Sequence, residues 1–174
     1  RISVDTMTEP HHSDRAHALL SASGASQWLN CPPAPRLEEL FPDGTSSFAE
    51  EGTLAHELCE IHLRHAVGLL TLKEAEKATK KIEKHDLFNA EMFDHVDTYT
   101  DFVLEELAEA RKKTPDARLL IEERIDLAEL IQGGFGTGDA GIIADGVLHV
   151  IDLKYGKGVK VNAANNSQLK LYGW

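Results

Sequence analysis

A chain of 174 residues fits one domain and is long enough to bury a real core. Apolar residues make up 42% and charged residues 27%, and runs such as 66–70 fall far short of the roughly 18 apolar residues a membrane span needs, so a helical membrane protein is excluded. The net charge of −11 argues against a general nucleic-acid binder, because counterion release rewards a basic surface.

That charge is unevenly placed. Lys154, Lys157, Lys160 and Lys170 against Asp152 alone give residues 151–174 a charge of +3, so the other 150 carry −14. An acidic protein can still handle DNA where its basic groups cluster. Cys31 and Cys59 are too few for a disulfide framework and suit a reducing cytosol, so a cytoplasmic location is expected. Cys31 is expected to be a buried small apolar residue.

Residues 1–20 are polar, contain histidine, lack an apolar signal region, and read as a flexible tail with Met7 as a candidate start. One domain is expected over 21–174, with a helical part (21–113) and a sheet and motif part (116–174). Ser23 or Ser26 can cap a short helix through Trp28 and Leu29 that Pro32 and Pro33 end. A further turn covers 36–41, and Pro42-Asp43-Gly44 is a turn signal. A longer helix is predicted over 47–67, with Phe48, Leu54, Ala55, Leu58, Ile61 and Leu63 at roughly helical spacing. A Lys/Glu-rich helix follows over 71–84, then an amphipathic one over 90–112 carrying Phe93, Val96, Phe102, Val103 and Leu107.

After Thr114-Pro115-Asp116 the pattern becomes short and β-type. Strands are predicted over 118–127, 138–144 and 147–154, the last two joined by a tight Asp145-Gly146 turn. A helix from about Ala163, capped by Asn165, Asn166 or Ser167, runs to Trp174, where the chain is expected to stop inside an element. The fold class is α+β: a helical first half, then a mixed sheet of at least three strands flanked by helices.

The strongest chemical signal is Asp152-Leu153-Lys154, preceded by Asp139 on the second strand. Strand residues two apart share a face, so Asp152 and Lys154 point together, and a hairpin brings Asp139 alongside. Hard carboxylate oxygens suit Mg²⁺ or Mn²⁺, and a lysine there can orient or deprotonate an attacking water and offset phosphate charge. The plainer reading is a surface ion pair on an edge strand. Against it, Val150 and Ile151 make the strand look buried, a poor place for unpaired charge.

Gly52, His56 and Glu60 are spaced four apart on one helix face. The glycine would admit a close backbone, and His56 could then ligate the same metal; the alternative is a surface histidine paired with Glu60. A zinc-protease motif would need a second histidine where Glu60 stands. Gln168 and Tyr172 share a face of the last helix and could hold a phosphate or a base edge. The glycine-rich run 133–138 lacks a P-loop ending and precedes a strand. It reads as a flexible approach that lets DNA or backbone come near Asp139.

In order, these motifs are G-x-x-x-H-x-x-x-E, a strand with Glu123, G-x-G-D, D-x-K and Q-x-x-x-Y. The series resembles the RecB-type exonuclease branch of the PD-(D/E)XK nuclease superfamily over roughly residues 23–174. The stretches 20–32 and 51–56 further resemble a largely uncharacterised phage- and prophage-encoded group. The resemblance implies a restriction-endonuclease-like fold. It also implies metal ligation by His56, Asp139, Asp152 and the Leu153 carbonyl, with Lys154 as catalytic lysine. Gln168 and Tyr172 would position DNA and the lysine, and Glu60 and Glu123 would support them. The family core continues into a strand after the Q-x-x-x-Y helix, so truncation after that helix is expected. Some relatives hold an iron–sulfur cluster with a Cys-Pro ligand like Cys31-Pro32, but this chain alone lacks the other cysteines.

The implied function is a Mg²⁺- or Mn²⁺-dependent deoxyribonuclease, most simply an exonuclease, in phage or prophage DNA recombination or processing. Its partners would be DNA and phage recombination or replication proteins. The alternatives are a non-catalytic DNA-binding or assembly subunit that keeps the fold, and an interaction protein whose acidic helical half binds a partner.

Overall fold

The computed structural model describes residues 18–41, 46–156 and 161–174. The turn expected at 42–44 and most of the expected tail lie outside them; Ala18, within that tail, is already buried.

Two short helices lead, α1 (Ala25–Asn30) and α2 (Ala34–Glu38). Neither Ser23 nor Ser26 caps α1. The Ser21 hydroxyl accepts from the Gly24 amide at 3.1 Å instead, and the Trp28 indole donates to the Ser21 carbonyl at 2.8 Å. As C-cap of α1 beside Pro32, Cys31 is exposed, not buried; the buried thiol is Cys59.

The helical layer is α3 (Ser47–Ala66), α4 (Leu72–Ile82) and α5 (Glu91–Lys113). Ser46 caps α3 through the Ala49 amide, and Thr71 with Glu74 forms a reciprocal capping box on α4. Asn89 serves α5 from just before its start, accepting from the Met92 amide at 3.1 Å while its own amide donates to Glu51 of α3 at 3.0 Å. Leu58, Leu63, Met92, Val96 and Val103 are fully buried where α3 and α5 meet the sheet. Phe48 and Phe102, which helical spacing would place in the core, are 62% and 50% exposed.

The sheet is an antiparallel meander, β1 (Arg118–Asp126), β2 (Phe135–Ala144), β3 (Val147–Ile151), in the order β1-β2-β3. The α+β class is as expected, but the sheet is antiparallel throughout the described residues rather than mixed. Asp145 and Gly146 both have positive φ, 51° and 72°, as a two-residue hairpin of this hand requires. β3 ends at Ile151, three residues before the expected 154, so Asp152 and Lys154 follow the strand rather than lie on it. A last helix, α6 (Ser167–Tyr172), is capped by Asn166 through the Leu169 amide at 3.1 Å.

Of the glycine-rich run, Gly133 and Gly134 precede the strand while Gly136 and Gly138 lie within it. β2 begins at Phe135, and Tyr172 of α6 lies across the glycines. A Cβ on Gly136 would sit 2.7 Å from Tyr172 Cε1 and 2.9 Å from Ala22 Cβ, while one on Gly52 would meet nothing within 4 Å. Among the described residues, therefore, no backbone approaches Gly52 closely, contrary to expectation.

These two glycines predict opposite outcomes in chemical denaturation. Gly136→Ala should destabilise by ~1–3 kcal/mol through overpacking. Gly52→Ala, in open space within a helix, should stabilise by ~0.5–1 kcal/mol.

Candidate metal site

The continued strand register builds the site. Ile121 pairs with Ala140 and Glu123 with Gly138, which sets Glu122 opposite Asp139. Ala140 pairs with Ile151, so the next step sets Asp139 opposite Asp152. Three carboxylates thus form one row across the sheet, and α3 brings His56 over it.

His56 Nδ1 lies 3.3 Å from Asp139 Oδ1 and 3.9 Å from Glu122 Oε1. One ligand atom from each of His56, Glu122 and Asp139 falls within 4.8 Å of the others. Asp139 Oδ2 accepts from the Leu153 amide at 2.6 Å. Among the described residues, this is the group whose donors could share a cation. Two hard carboxylate oxygens and an imidazole make a chemically reasonable set for a divalent metal.

Glu122 has φ of 48°, a left-handed value that costs a non-glycine residue roughly 1–2 kcal/mol. That conformation shifts which side chain faces the helices. Ile121 packs into the α3–α5 core, while Ile125 packs with the cluster holding Ala22 and Tyr172. The expected supporting residue Glu123 is exposed, and Glu122 occupies the site in its place. Glu60 is drawn off as well, paired with Arg64 of its own helix at 2.8 Å.

Asp152 sits at the far end of the row, outside the three-residue donor group. Its Oδ2 pairs with Lys154 Nζ at 2.5 Å and its Oδ1 accepts from Gln168 Nε2 at 2.8 Å. The Gln168 amide also reaches the Tyr172 hydroxyl at 3.3 Å and, through Oε1, Lys154 at 3.5 Å. Tyr172 in turn donates to the Thr137 carbonyl at 2.7 Å. The Q-x-x-x-Y helix therefore holds the Asp152–Lys154 pair in place. Lys170 points away, onto Asn165. The Leu153 amide is the donor to Asp139.

The electrostatics follow from this crowding. Burial alone would lower the His56 pKa, but hydrogen bonds to Asp139 and Glu122, with their charges, outweigh it and raise the imidazole to about 9. Burial raises the Asp152 carboxyl and the charge of Asp139 adds to that, against the opposing pull of Lys154. Cys59 is pushed up to about 12, first by burial and then by Asp139 and Glu122, so it is a packed thiol rather than a nucleophile.

Two clefts flank Lys154. One of about 680 Å³ runs between α3, α5 and residues 153–156, and one of about 390 Å³ lies toward α6. Lys154 lines both, and Asp152 lines the second; His56, Glu122 and Asp139 line neither.

The family model described as "Protein of unknown function (DUF2800)" matches residues 17–174. No solved structure matches the chain.

In metal-free protein, the charged imidazole between two carboxylates should make stability depend on pH. Because the folded pKa is raised from 6.5 to about 9, the contribution is complete below 6.5 and lost as pH rises through about 9. The urea midpoint of the wild type, followed against His56→Gln over that window, should fall toward that of the variant, which lacks the step.

Proposed function

Because the chain belongs to the DUF2800 family, whose description names no activity, we propose from the site itself that it is a metal-dependent deoxyribonuclease of the RecB-like PD-(D/E)XK kind. The observation that carries this is the row Glu122, Asp139 and Asp152 with His56 above it and Lys154 at its end. Carboxylates so close together repel one another, and a cation is what such a cluster is suited to hold.

Glu122, Asp139 and His56 would hold Mg²⁺ or Mn²⁺, with Asp152 adjoining. A bound cation supplies positive charge and water of lowered pKa. The remaining work falls to the chain's own groups. Lys154, half exposed at the junction of the two clefts, meets a phosphate oxygen and offsets the charge that builds on it. Asp152 and Gln168 keep the ammonium from swinging into solvent. Glu122 and Asp139 hold His56 on its ring nitrogen and so fix the orientation of α3 over the sheet. Water is added across the phosphodiester, leaving a phosphomonoester and a hydroxyl end. DNA is the proposed substrate, and recombination or end processing in a phage or prophage setting is the proposed context.

The test is cleavage of linear single- and double-stranded DNA with Mg²⁺ or Mn²⁺. Asp139→Ala, Asp152→Ala and Lys154→Ala should each lose on the order of 10²-fold or more in rate while keeping the wild-type circular dichroism, and chelation should abolish turnover. Absence of cleavage by the metal-supplemented wild type, or full activity in those variants, would overturn the assignment.

A further inference from the structure

Six phenylalanines occur in the chain. Phe88 and Phe93 pack edge to face against the core, and Phe135 is buried beneath the Arg124 guanidinium at 3.6 Å. Phe41, just after α2, is 70% exposed. Phe48 and Phe102 neither pack into the core nor lie under a guanidinium. They come from different helices, lie 62% and 50% exposed, and face the same cleft of about 680 Å³. Tyr155 lines that cleft too, with His95 edge-on to it at 5.6 Å. Lys154 stands at its margin.

Aromatic rings left open to water on a cleft wall suit a flat, apolar-faced ligand. The volume matches sites for small organic groups, about 300–1,000 Å³. Charge narrows the choice. Glu51 and Glu91 also line the cleft, so a phosphate inside it would be repelled, whereas a nucleobase is neutral and stacks on any aromatic face. Lys154, shared with the carboxylate row, is the one lysine among the described lining residues and would take the adjoining phosphate.

We propose that this cleft receives an unpaired nucleobase of single-stranded DNA against the exposed rings of Phe48 and Phe102, with the neighbouring phosphate at Lys154. The choice of ligand rests on the nuclease reading. A base held there keeps the strand in register with the scissile position, and a paired base cannot enter, so the cleft selects single-stranded ends.

The test is equilibrium binding in chelator, where no cleavage can occur, followed by fluorescence anisotropy. The probes are a labelled oligothymidylate, an abasic oligomer with the same number of phosphates, a blunt duplex and an oligouridylate. The thymidylate should bind about tenfold more tightly than the abasic strand, and more tightly than the duplex or the uridylate. Phe48→Leu and Phe102→Leu should each remove most of that advantage, whereas Phe48→Trp should retain it. Equal binding of thymidylate and abasic strands, preference for the duplex or the uridylate, or unchanged binding by the two leucine variants would overturn the proposal. The nuclease reading fails separately: base-dependent binding without cleavage in metal sinks that reading alone, and cleavage without base-dependent binding sinks this one alone.

Discussion

Asp139 places one carboxylate oxygen 3.3 Å from the His56 imidazole and the other 2.6 Å from the Leu153 amide. A single anion on the central strand thereby joins helix α3 to the segment that follows β3. Its side chain is only 12% exposed, and burying a carboxylate costs several kcal/mol unless its lone pairs are met. A charge-assisted bond on each oxygen meets that demand. The same two bonds fix the relative height of the helix, the sheet and the D-x-K segment, so the rest of the candidate site takes its position from this residue.

Glu122 completes the arrangement through backbone geometry. Along β1, where Ile121 faces the α3–α5 core, regular β alternation would turn the next side chain away from α3 and bring Glu123 in. The left-handed conformation at φ 48° reverses that choice. Strain of this kind persists only where the surroundings hold it, and such residues gather at functional sites. In the metal-free protein a protonated His56 offsets the gathered negative charge; a divalent cation would take over that role and displace the proton.

On the proposed reading, an acidic chain acting on DNA needs its positive charge concentrated. Lys154 is held by Asp152 and Gln168 between two clefts. Phe102 lines both; the first adds Phe48, Tyr155, Glu51 and Glu91, the second Asn162, Asn166, Glu106 and Asp152. Selectivity would then come from which part of a strand each cleft accepts, since the protein's net field repels a polyanion.

Much of this was legible in the sequence because it depends on local periodicity. The spans of α3, α4 and α5, the Asp145-Gly146 hairpin, the three strands and the α+β class follow from apolar spacing and turn chemistry. The gathering of His56 with Asp139, and of Asp152 with Lys154, Gln168 and Tyr172, was readable as motif order. Tertiary packing decided the rest. It selected Glu122 over Glu123 by one positive φ, which no alternation pattern encodes. It paired Glu60 with Arg64 and exposed Cys31 at a helix end. It laid Tyr172 across Gly136, so those glycines serve packing within the protein rather than access for a ligand. It also left Phe48 and Phe102 on a cleft wall, although their helical spacing matches that of core residues. Spacing along a chain states which residues share a face, but only the neighbours across that face determine whether it is buried, paired or left open.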